Sequence, residues 1–68
     1  MNDESLNLTT RQFLKRFGVT AQREIERAIR ARLDEGTLRG NERLPVRATL
    51  AIPGVLDEME IAGEIPLE

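Results

Sequence analysis

Catalysis needs nucleophiles, acids, bases or metal ligands at workable spacing, and this chain of 68 residues offers few of them. It holds no His and no Cys. General acid-base work at neutral pH would most naturally use His, and a structural zinc site would draw first on Cys and His. The hydroxyls left for nucleophilic work include Ser5, Thr9, Thr20, Thr37 and Thr49. Ser5 lies in a polar N-terminal segment, Thr9 and Thr20 read as helix caps, and Thr37 and Thr49 have no evident base to activate them. Glu58, Glu60 and Glu64 recur at period two, which puts them on one face of a strand where carboxylates could hold a divalent cation. A solvated polar face accounts for the same pattern. Gly18-Val19-Thr20 ahead of a helix could offer free amides to a phosphate, but the Gly and Lys pattern of a phosphate-binding loop is missing, and ordinary capping accounts for the segment. The expectation is a protein that is not an enzyme, with no catalytic, cofactor-binding or metal site.

Charge gives the one further hint of chemistry. The net charge is −2, yet residues 1–43 carry nine basic and seven acidic side chains while residues 44–68 carry one basic and five acidic. Within residues 11–32, seven basic side chains face two acidic ones, a local excess of +5. Arg23, Arg27 and Arg30 fall on one side of a helix there and are the candidate contacts for nucleic-acid phosphates. Glu26 and Asp34 dilute that stripe through neighbouring pairs, and a pI of about 5.1 is low for a reader of DNA.

The elements that must position these residues follow from periodicity and capping. Thr9 with Gln12 three residues later reads as a capping box, with Leu8 and Phe13 placed as a hydrophobic staple. A first helix is therefore predicted over about residues 10–17, ended by Gly18. Thr20 caps a second over about residues 21–35, whose Ile25, Ile29 and Leu33 share one side, and Gly36 ends it. After Pro45 the period changes to two. Val46, Ala48, Leu50 and Ile52 alternate with polar residues, Pro53-Gly54 breaks the run, and Met59, Ile61 and Ile65 alternate with glutamates, with Gly63 marking a bulge, a kink or a close approach. The expected fold class is α+β, two helices packed on a β-hairpin of about residues 45–52 and 57–66, in a single domain spanning 1–68 with residues 1–7 flexible. Its core would couple Phe13, Phe17, Ile25 and Ile29 to Leu50, Ile52 and Ile61. The opening Met1-Asn2-Asp3-Glu4-Ser5 is unlike a secretory signal, and no apolar run approaches the roughly 20 residues that cross a bilayer, so a cytoplasmic protein is expected, away from membranes. The closing Leu67-Glu68 has the look of a cloning scar and carries no weight in the fold.

Two resemblances bear on function. The run from Thr10 to Leu38, with Gly18 as turn glycine and Thr20 as cap, resembles a helix-turn-helix leading into a winged-helix hairpin, which would imply a second helix that enters the major groove. It departs from that pattern at Glu24, where the recognition helix should carry its first apolar residue, and at Leu14, where a small residue is usual. Over nearly its whole length, through Phe13-Leu14-Lys15, Gly18-Val19-Thr20, Gln22-Arg23-Glu24-Ile25-Glu26 and Leu44-Pro45-Val46, the chain resembles a family of short bacterial proteins of unknown function. That resemblance implies a fold unit that stands alone and brings no activity or functional residues with it.

The reading that follows is a non-catalytic protein-interaction module that self-associates or takes a protein partner, since a two-stranded hairpin has two unpaired edges and a short chain gains by covering one. The edge expected to pair is residues 46–52, because the acidic second strand would set Glu beside Glu against its own copy. The alternative is nucleic-acid binding through Arg23, Arg27 and Arg30.

Overall fold

The computed structural model describes all residues, Met1 to Glu68, in two units, Met1–Thr37 and Leu38–Glu68. The first unit is one uninterrupted helix, α1 (Asp3–Glu35). Its cap is Asn2, whose side-chain oxygen accepts a 3.0 Å bond from the Ser5 amide, and Asp3 and Glu4 place negative charge on the first turn, where the helix dipole favours it. At the other end Gly36 adopts φ 82, its amide donates to the Leu33 carbonyl at 3.1 Å, and Thr37 donates to Arg32 at 3.0 Å. This is a Schellman motif, as the glycine predicts.

The two helices expected over 10–17 and 21–35 are thus one, and the helix-turn-helix pair is not formed. Gly18 does not take the left-handed conformation that would stop the helix. Continuing through a glycine costs about 1 kcal/mol relative to alanine, whereas breaking there would strand four amides and four carbonyls at two new ends, of which Thr20 could cap only one. Thr9 is no cap either: its hydroxyl donates back to the Ser5 carbonyl at 2.9 Å, one turn earlier in the helix.

The second unit is an antiparallel hairpin of β1 (Arg43–Ile52) and β2 (Leu56–Pro66). Its register explains the sequence alternation, for Leu44 stands opposite Ile65, Ala48 opposite Ile61 and Leu50 opposite Met59, all on one face. On the other face Thr49 meets Glu60 and Pro45 meets Glu64. The turn is Ile52-Pro53-Gly54-Val55, closed by the Val55 amide on the Ile52 carbonyl at 2.9 Å. Pro at its second place and Gly54 at φ 79 at its third make it a type II turn. The one irregularity lies between Leu50 and Ile52, and Gly63, where a bulge, a kink or a close approach was expected, carries no bulge and sits in regular register opposite Val46.

Neither unit forms a core by itself. No residue is buried, and Phe13, Phe17 and Ile61 remain 46%, 49% and 59% exposed. A lone helix has one side to offer and a two-stranded sheet has two faces, and neither unit holds a second layer to close over an apolar face.

Continuity through Gly18 has a direct readout. In amide hydrogen exchange followed by NMR, Val19, Thr20 and Ala21 should be as well protected as Leu14 and Ile25. Rapid exchange confined to 19–21 would restore a two-helix arrangement.

Candidate interaction surfaces

On an unbroken helix, side chains three, four and seven residues apart line up, so α1 has two long faces. The apolar one runs through Leu6, Phe13, Leu14, Phe17, Ala21, Ile25 and Ile29, covering the roughly 160° that a packing face occupies. Leu6, Leu14 and Phe17 on it are about half exposed.

The opposite face is basic, and helix continuity rearranges it. Arg23, Arg27 and Arg30 do lie on one side of α1, but they are not equivalent. Arg27 is held by Glu24, and this hydrogen-bonded carboxylate raises its already high pKa. Arg23 and Arg30 have no carboxylate partner. Arg23 instead joins Gln12, Lys15, Arg16, Val19 and Thr20 around a shallow groove on the helix surface that contains no acidic side chain. The unneutralised patch therefore sits about two turns upstream of the expected one, and Lys15 and Arg16 are its overlooked members. The interval of seven or eight residues from Lys15 and Arg16 to Arg23 is the signal that would have found them, once Gly18 is not taken as a break.

The hairpin carries the opposite sign. Glu58, Glu60 and Glu64 fall on β2 as expected, but Glu64 accepts a 2.8 Å bond from Arg43 Nε, and no group of three acidic side chains is drawn together tightly enough for a metal ion. Pairs like these on the surface contribute at most about 1 kcal/mol each. The best-satisfied carboxylate is Glu42, at the entrance to β1. It accepts the Arg39 amide at 2.8 Å and the Gly40 amide at 3.0 Å, and these backbone bonds hold its pKa below the ordinary 4.5. No helix is long and apolar enough to cross a membrane.

A depressed carboxylate pKa stabilises the fold above its unfolded value and loses that contribution as pH falls through the folded one. Glu42→Gln should therefore lower the thermal midpoint at neutral pH, and the difference from the native chain should shrink as pH drops below 4.5. Circular dichroism melts across that range check it; a gap independent of pH would remove Glu42 as the titrating group.

No curated protein and no solved structure matches the chain. A family model does, over residues 1–68, and it shows that the chain belongs to a family of unknown function, DUF6494.

Proposed function

We propose that this protein is a small, non-catalytic, cytoplasmic interaction module that associates with itself. The observation that carries the reading is the uncovered apolar surface: no residue is buried, and both units present an apolar face. Exposed apolar faces on soluble proteins mark contact sites. The sequence supports the non-catalytic part through its lack of His and Cys and of any activated hydroxyl.

A second reading has its own supporting observation. Arg16, Arg23 and Arg30 follow one another at seven-residue intervals, roughly 10 Å along the helix, and none has a carboxylate partner, so the polar face could meet phosphates of a nucleic acid. It ranks lower because the single helix lacks the helix-turn-helix frame and because residues 44–68, with one basic and five acidic side chains, would repel a duplex.

Two measurements follow. Sedimentation equilibrium should find dimers or larger species in the micromolar range, with Phe17→Glu shifting them to monomer if the helix face carries the contact and Thr49→Pro doing so if the β1 edge does. A monomer at every accessible concentration refutes self-association. Labelled duplex titrated at low salt should give flat traces. Submicromolar binding that falls with salt by a log-log slope of about −0.9 per contact, and is lost on reversing Arg16, Arg23 and Arg30 to Glu, would put the nucleic-acid reading first.

A further inference from the structure

Gly18 is a residue that its own unit does not account for. Its φ is not positive, and a Cβ built on it would meet nothing within 4 Å. Alanine would make the better helix there. A glycine in mid-helix makes sense where another group must come close to the backbone, and the chain has no such group beside it. Its neighbour Phe17, on the apolar face, is large and 49% exposed.

We propose that the apolar face of α1 is covered by the same face of a second copy, packed antiparallel about a two-fold axis between Phe17 and Gly18, so that each Phe17 seats over the Gly18 of the other chain. This rests on the self-association proposed above and names its partner and register. Counting outward from the axis, Leu14 stands opposite Ala21, Thr10 opposite Ile25, Leu6 opposite Ile29 and Asp3 opposite Arg32. Large residues meet small ones at the centre, where helices must approach, and an acid meets a base at each end. Asp3 has no ion-pair partner of its own, and Arg32 pairs with Glu35 on its own helix. A parallel pair in register would instead set Asp3 on Asp3, Arg32 on Arg32 and Phe17 on Phe17, with unfilled space at both glycines. The overlap of residues 3–32 is about 45 Å long, and with a helix roughly 10 Å wide it covers about 450 Å² per copy, or about 900 Å² in total. That is at the low end of specific interfaces, near the roughly 1,000 Å² that separates them from incidental contacts. The second copy fits this face better than an unrelated helix because the chain supplies both the protruding ring and the gap that receives it.

The test uses the full chain in sedimentation equilibrium. Gly18→Ala and Gly18→Leu should raise the helix's intrinsic propensity yet weaken the dimer, Leu by about tenfold or more; a dimer unchanged or tightened by Gly18→Leu overturns the proposal. Asp3→Lys or Arg32→Glu alone should each weaken association about three- to tenfold, and the double variant should restore it. The helix dipole acts the other way, making the double variant the worst helix of the set, so restoration is a signature of the contact between copies. A stable dimer without restoration overturns the antiparallel register and leaves self-association standing, whereas a monomeric native chain overturns both.

Discussion

A single helix and a two-stranded sheet have no inside, and nearly everything in this protein follows from that constraint. Folding a domain is normally driven by removing apolar side chains from water, at about 25 cal/mol per Å². Here the sequence gathers apolar residues on one side of α1 and on one face of the hairpin, yet no side chain becomes buried. What holds each unit is local: backbone hydrogen bonding, an Asn2 cap and a Schellman turn on the helix, cross-strand pairs and a type II turn on the hairpin. Isolated hairpins are marginal in water, and a helix of 33 residues gains most of its stability from whatever covers its apolar face. On the proposed reading, association is part of the fold itself.

The charges are arranged consistently with that view. Arg16, Arg23, Arg27 and Arg30 on α1 stand away from the apolar face, and carboxylates on β2 occupy the face opposite the apolar one, so these charges would stay hydrated when the apolar faces are covered. The helix keeps its dipole satisfied with Asp3 and Glu4 at one end and Arg32 near the other. Glu42 fastens the approach to β1 by gathering two amides that would otherwise face water.

The hairpin was legible from its residues because period-two alternation and a Pro-Gly turn are decided within a few positions, and the register matches leucines and isoleucines across the strands as the alternation requires. Gly36 was legible for the same reason. The beginning of α1 was not, because Thr9 and Gln12 mimic a capping box while the real cap, Asn2, is signalled only by itself and by the acids at Asp3 and Glu4. Gly18-Val19-Thr20 reads as an end followed by a start, but whether a helix stops there depends on the cost of making two new ends, which no three-residue motif records. That one reading had two consequences. It produced a helix pair where there is a rod, and it divided the basic face, hiding Lys15 and Arg16 from Arg23. The apolar faces themselves were legible, but periodicity says only which face wants burial, and nothing about what covers it.

The dependence of folding on association is tested most directly by the concentration dependence of thermal unfolding. Where a protein folds as it associates, mass action raises the midpoint as the chain becomes more concentrated. Melts followed by circular dichroism from low micromolar to several hundred micromolar should therefore shift upward by several degrees, with a single cooperative transition. A cooperative transition at one fixed temperature over that range would show a chain that covers its own apolar faces, and would contradict the dependence argued here.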